Sequence, residues 1–241
     1  VKGNLNLIIT CYFGKTETFG ISEIDPDYRY IKNLESIAYY YASDSVDMTY
    51  VVCTGCFEQY QRAKELYIGL SGIKFYFYSQ DLEDKSKGNG YLEYVLLQKF
   101  FISINASSCD LFCKISGKYI VSNLNFVKTV FDDTTDSCGW TYFGKAMVDA
   151  RCIIISPLIF VSDEGRSLID DRKDHYFEHF IFDRLLASRK YLVAFRPIIS
   201  GLSGTDGSII RTSKTKAFLI YIFTFLVKVH RYAYSYCFKT I

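Results

Sequence analysis

The chain has 241 residues, 49% of them hydrophobic and 22% charged, with a formal net charge of +2. This is enough apolar material for one large α/β domain, or for a core with a small appendage. The near balance of charge leaves no electrostatic footprint for a nucleic-acid partner.

Asn4 to Tyr12 is an apolar run ending at Phe13-Gly14 and reads as a buried first strand. Asp27 to Ala42 carries Ile31, Leu34, Ile37, Ala38 and Tyr41 at helical spacing, which predicts a helix. Met48 to Cys53 reads as a second strand, Phe57 to Tyr67 as a helix, and Ile73 to Tyr78 as a third strand. Tyr91 to Ile104 reads as a long helix, and Leu111 to Val121 as one continuous strand. Strands alternating with helices imply a mainly parallel sheet between helical layers. In such sheets ligands bind at the carboxyl ends of the strands, a rim holding Tyr12, Phe13, Thr54, Gly55, Ser79 and Gln80. Further on, Phe131 to Ser137 is expected as a polar loop, Arg151 to Phe160 as a strand pair and Asp174 to Leu186 as a helix. Arg196 to Ser208 is glycine-rich, and a basic, aromatic tail follows. Residues 1–210 are thus expected to form the main domain and 211–241 a C-terminal helix.

The eight cysteines include Cys53-Thr54-Gly55-Cys56, but no second CxxC pair completes a zinc ribbon. Cys11, Cys53, Cys113 and Cys152 lie on apolar runs, where a thiol behaves as a small hydrophobe. No secretory signal opens the sequence, so reduced thiols and a cytoplasmic location are expected. A chain beginning at Val1 leaves open a preceding segment.

Several stretches carry residues suited to chemistry. Thr10 and Tyr12, at the end of the first strand, stand where a base and ribose would lie on the rim. Lys87, Gly88 and Gly90 precede a helix whose free N–H groups favour anions, with Glu93 in its first turn; a simple glycine turn capping the helix explains them too. Within Lys114-Ile115-Ser116-Gly117-Lys118-Tyr119, the strand period puts Lys114, Ser116 and Lys118 on one face. Two ammonium groups there would neutralise phosphate, and Gly117 would let the ligand approach the backbone. Asp171 and Asp174 lead into His175, Glu178 and His179, which share one face of a helix. In that group Glu178, or a neighbouring Asp, is the candidate base for a hydroxyl, oriented by His175. The H-x-x-E-H order also permits a metal hydrolase. Ser203 and Gly204, in a glycine-rich loop, could contact phosphate through backbone N–H groups.

In order, the KGxGE-like helix start, the KisGRY-like strand and the late acidic helix with its Glu/His pair resemble a group of bacterial glycosyltransferases that build capsule and lipopolysaccharide sugars. The resemblance implies a GT-A-like fold, with a nucleotide sugar as donor, UDP-linked foremost, and a surface glycan or lipid-linked glycan as acceptor. His179, Ser203 and Gly204 would then contact acceptor or phosphate. Lys118 stands where that group more often has Arg, which puts a bidentate phosphate contact in doubt. Transferases of this fold commonly hold Mg or Mn with a D-x-D signature; no D-x-D stands near the strand, so metal dependence stays open, and lysines are candidates to replace the cation. A catalytically inactive scaffold subunit of a glycan assembly complex is a further alternative.

The apolar run Ala217 to Val227 covers eleven residues, too short for a bilayer span of about 20. Arg211, Lys214, Lys216, Lys228 and Arg231 flank it, which suits a helix lying on anionic lipid, such as the inner face of an inner membrane.

Overall fold

The computed structural model describes residues 5–14, 25–107, 110–133, 137–141, 146–187, 197–202 and 208–212, together with 215, 218, 219 and 222. Its centre is a six-stranded sheet built from β1 (Asn6–Phe13), β2 (Met48–Gly55), β3 (Ile73–Phe77), β4 (Phe112–Ser116), β6 (Cys138–Thr141) and β7 (Val148–Ile155). The strand order is β3-β2-β1-β4-β7-β6. The first four strands run parallel, whereas β7 is antiparallel to both β4 and β6. The architecture is therefore α/β, with a mainly parallel central sheet flanked by helices. β5 (Tyr119–Val121), β8 (Ile199–Leu202) and β9 (Ile209–Arg211) form a small antiparallel sheet, in the order β5-β8-β9. β9 runs across the expected boundary between 210 and 211.

The helices are α1 (Pro26–Tyr41), α2 (Phe57–Glu65), α3 (Asn89–Ser103), α4 (Leu124–Asp133), α5 (Glu164–Leu168) and α6 (Phe177–Ala187). Two apolar cores sandwich the sheet. On one face Leu7, Ile9, Cys11, Val51 and Ile115 meet Ile37 and Tyr40 of α1. On the other Ile8, Val52 and Ile153 meet α3, which buries residues around most of its circumference. A helix apolar on all sides belongs between layers. α3 lies between the sheet on one side and the Pro157–Phe160 turn and α6 on the other.

Three expectations are corrected by tertiary context. The run Leu111 to Val121 is two strands, not one. Gly117 donates its N–H to the Thr10 carbonyl at 2.8 Å; the chain then turns at Gly117-Lys118 and joins the small sheet. Lys114 and Lys118 consequently do not share a strand face. Arg151 to Phe160 is not a strand pair: β7 ends at Ile155, and Pro157 opens a 3-10 turn. The last acidic helix starts at Phe177, after a 3-10 turn Asp171–Lys173 and a left-handed Asp174. α1 buries Arg29, Asn33, Ser36, Ile37 and Tyr40, while Ile31 is 50% exposed. Its inward face is polar because it covers polar backbone. Asn33 Nδ2 donates to the Tyr12 carbonyl, and Ser36 and Tyr40 donate to that of Tyr119.

The stretch expected as a loop from Phe131 begins inside α4, which extends to Asp133. α5, β6, β8 and β9 have no counterpart in the sequence reading. Most of the C-terminal tail lies outside the described residues.

Candidate active site

β1 is followed by β2 and β3 on one side, and the chain then crosses to β4 on the other. The carboxyl ends of β1 and β4 thus flank a topological switch point, the place where open α/β sheets bind ligands. A cleft opens there. From β1 it takes Thr10, Cys11 and Tyr12; from the β4 end, Ser116, Gly117 and Lys118; from α1, Arg29 and Asn33; from α3, Asn89, Leu92, Glu93 and Leu96. Thr54 and Gln80 complete it and also line an adjoining hollow, with Gly55, Ser79, Phe57 and Phe77. Five of the six rim residues read from the sequence therefore surround these two spaces, and Phe13 is buried in the core beside them.

Gly117 is closely surrounded. A Cβ there would lie 2.5 Å from Cys11 Sγ, 2.7 Å from Asn33 Oδ1 and 3.0 Å from the Thr10 carbonyl. Only glycine lets β1, α1 and the β4 end converge so closely.

Two cations line the cleft. Lys118 is partly buried, and desolvation, aided by the nearby Arg29, lowers its pKa to about 8; Glu93 pulls the other way. The Arg29 guanidinium is buried, with its carbon 5.7 Å from the centre of the Tyr12 ring. Burial also lowers its pKa. Sequence reading missed Arg29 and Asn33. Their signal was a polar pair four residues apart on the same helical face as Ile37 and Tyr40, which the Ile31 pattern obscured.

Lys114 does not line the cleft. It is fully buried behind Ser116, and its ammonium donates to Glu93 Oε1 at 2.6 Å, to the Ala150 carbonyl at 2.7 Å and to Ser116 Oγ at 3.1 Å. Glu93 also accepts from Thr10 Oγ1 at 2.8 Å. The KGxGE-like and KisGRY-like segments are thus joined by an ion pair whose ammonium is fully buried and whose carboxylate reaches the cleft. Tyr119 lies outside the cleft, buried in the small sheet, with its carbonyl taken by Ser36 and Tyr40.

At the start of α3, Gly88 has φ +96°, and a Cβ there would overlap the Asp171 carboxylate. Asp171 accepts backbone N–H groups from Asn89 and from Gly90, the latter at 3.4 Å. The helix N-terminus therefore already holds an anion from its own chain. Desolvation raises the Asp171 pKa, and those N–H bonds oppose the rise. Lys87 donates to the Arg166 carbonyl at 2.7 Å and lies 4.7 Å from the Tyr91 ring centre. Lys87, Gly88, Gly90 and Asp171 together form a junction outside the cleft lining.

Among the late residues, Glu178 stands beside the Glu93–Lys114 pair. Burial is the main cause that raises its pKa to about 7; Glu93 and Asp171 add to the rise, and Lys114 opposes it. Phe177, next to it, places its ring 5.8 Å from Lys114 Nζ. Glu178 does not line the cleft. His175 precedes the helix, bridged to Asp170, and its buried Nδ1 has no hydrogen-bond partner. His179 Nδ1 accepts from the Tyr176 N–H at 3.4 Å, and Asp174 is exposed, accepting from the Tyr176 hydroxyl at 2.8 Å. Ser203 and Gly204 lie outside the described residues. Among the described residues no three His, Cys, Asp or Glu side chains gather as a metal site.

No family model matches this chain, and no curated protein matches it. Solved structures do show similarity. Mouse xyloside xylosyltransferase 1 is 9% identical, with 79% of this chain and 85% of that one covered and a TM-score of 0.45. A putative glucose-1-phosphate thymidylyltransferase from Bacillus anthracis is 10% identical, with 83% and 90% covered and a TM-score of 0.48. The galactosyltransferase LgtC, solved with donor and acceptor sugar analogues, is 10% identical, with 73% and 69% covered and a TM-score of 0.44. Nothing about activity passes to this chain at such identities and scores.

Proposed function

We propose that this chain is a glycosyltransferase that moves a sugar from a nucleotide-sugar donor, UDP-linked foremost, to a cell-surface glycan such as capsule or lipopolysaccharide O-antigen. The observation that carries the reading is the cleft at the β1/β4 switch point, where Arg29 and Lys118 converge beside Tyr12. Two cations on a partly enclosed floor suit a diphosphate, and their charge would stabilise the departing nucleotide as the glycosidic bond breaks. The adjoining hollow beside Phe57 and Phe77 offers aromatic walls to a base. The order of the sequence motifs, which resembles capsule and lipopolysaccharide glycosyltransferases, supports the acceptor class.

In this reading the acceptor hydroxyl loses its proton to Glu178. A carboxyl with a pKa near 7 is suited to a general base at neutral pH, and His175 would orient the acceptor. The donor set at the cleft does not fit a divalent metal: lysine, serine and glycine occupy the turn after β4, and Glu93 already pairs with Lys114. Lys118 and Arg29 take the charge-neutralising role, and no step is assigned to a metal.

A thermal-shift panel of UDP-, GDP-, CMP- and dTDP-sugars tests the proposal. A bound donor raises the melting temperature by mass action, by about 2.7 kcal/mol of stability at a hundredfold excess over Kd. A flat response across all four nucleotides, with no hydrolysis of any donor, sinks the reading and leaves the scaffold alternative.

A further inference from the structure

We propose that the Glu93 carboxylate receives hydroxyl groups of the donor sugar and so restricts the donor to uncharged sugars, with Lys114 acting as its positioning residue. This rests on the nucleotide-sugar reading above and names the class of sugar for that site. An ammonium has three N–H donors, and all three of Lys114 are committed, to Glu93, Ser116 and the Ala150 carbonyl. Lys114 therefore has no donor left for phosphate, and its charge serves Glu93. Glu93 differs: both of its protein donors, Thr10 Oγ1 and Lys114 Nζ, meet the same oxygen, Oε1. A carboxylate offers about four acceptor sites and no donor. The Glu93 side chain is 25% exposed and lines the cleft, so acceptor capacity faces the space where a ligand would lie.

The cleft is thus divided by charge. Arg29 and Lys118 suit the diphosphate, whereas a fixed carboxylate repels phosphate and takes O–H groups. A sugar hydroxyl donates to carboxylate, and a neighbouring pair of hydroxyls can engage it together. A sugar bearing its own carboxylate would place like charges side by side, which disfavours its binding. Neutral hexoses fit; uronic and sialic acids do not. Asn89 and Asn33, also in the cleft, add amide groups, and Lys118, which feels the Glu93 charge, is the cation assigned to the diphosphate.

Calorimetry on the full chain tests this with UDP, UDP-glucose and UDP-glucuronate, with GDP, GDP-mannose and GDP-mannuronate, and with CMP-sialic acid. The wild-type protein should prefer the neutral member of a pair by roughly 30-fold or more, equivalent to ~2 kcal/mol. Glu93→Gln alone leaves a buried ammonium unpaired and risks unfolding, so the informative variant is Glu93→Gln/Lys114→Met, which keeps the net charge. With a melting transition like that of the wild type, its preference should fall to roughly threefold or less while affinity for the bare nucleotide is retained. Lys114→Met alone should weaken UDP-glucose but not UDP; equal weakening of both would make Lys114 merely structural. Equal wild-type binding of neutral and anionic sugars, tight binding of CMP-sialic acid, or an undiminished preference in the folded double variant overturns the proposal. If no bare nucleotide binds the wild-type protein at all, the nucleotide-sugar reading falls, and this one with it.

Discussion

Lys114 looks, in sequence, like a cation waiting for a ligand, because lysine within an apolar strand must meet an anion or water. The anion it meets is Glu93, which itself lines the cleft. Removing one partner of such a pair costs far more than the pair contributes, since the other charge is left unpaired. Lys114→Ala should therefore destabilise the fold by about 3–5 kcal/mol, read as a lower denaturation midpoint at unchanged slope. A variant with wild-type stability would show that the ion pair does not stabilise the fold. Glu178 makes a second residue-scale test. Its pKa rises from 4.5 to about 7 in the fold, so the native state holds a proton that the unfolded chain has already lost. Stability contributed by that proton is present at low pH and lost as pH rises through about 7. Glu178→Gln should thus gain about 1–3 kcal/mol over the wild type at pH 8 and nothing near pH 4, as melting at both pH values would show. The same variant should bind donor but lose transfer. Turnover at the wild-type rate would move the base to another residue.

Among the elements, the β4 turn has the largest consequence. A strand carried straight through Lys118 would put that lysine on the same sheet face as Lys114. The turn at Gly117 instead brings it to the switch point beside Arg29. Gly117→Ala should push against Cys11, Asn33 and the Thr10 carbonyl, at a cost of about 1–3 kcal/mol for overpacking. Because these groups line the cleft, donor affinity should fall at least tenfold, measured by calorimetry on the folded fraction. An alanine variant that binds donor as the wild type does would show that the convergence is not needed. Most elements were legible from sequence. The runs to β1, β2, β3 and the α2 and α3 helices stand within a few residues of where hydrophobic period put them. α1 was placed correctly, but Arg29, Asn33 and Ser36 on its inward face went unremarked, because that face meets backbone carbonyls and the cleft as well as the apolar core. α4, α5 and the small sheet were missed; they are short and depend on contacts with distant segments.

At the scale of the whole molecule, α1, α3 and the strand ends enclose one charged cleft, and no described helix is long and apolar enough to cross a membrane. Of the tail, the described residues Phe218, Leu219 and Ile222 are exposed. Truncation before Ala217 should leave a folded chain that binds donor but no longer sediments with anionic liposomes, and binding of the intact chain should weaken as salt rises. An aggregating truncation, with an intact chain that ignores liposomes at low salt, would make the tail part of the core.

The amino-acid sequence by itself determined the alternation of strands and helices, and with it a mainly parallel sheet whose working edge is the carboxyl end of its strands. It did so because burial on a sheet face or helix stripe imposes a period that local residues display. It also marked the two segments, around Glu93 and around Lys118, that meet in the cleft. Only the tertiary structure decided what each charge does. Lys114 became an internal partner and Lys118 a cleft cation; Asp171 became a helix cap, and Arg29, unremarked in sequence, became the second cation. The reason is that a charge's role depends on which other groups share its small volume. Those neighbours come from residues far apart in the chain, 21 positions between Lys114 and Glu93 and 36 between Lys114 and Ala150.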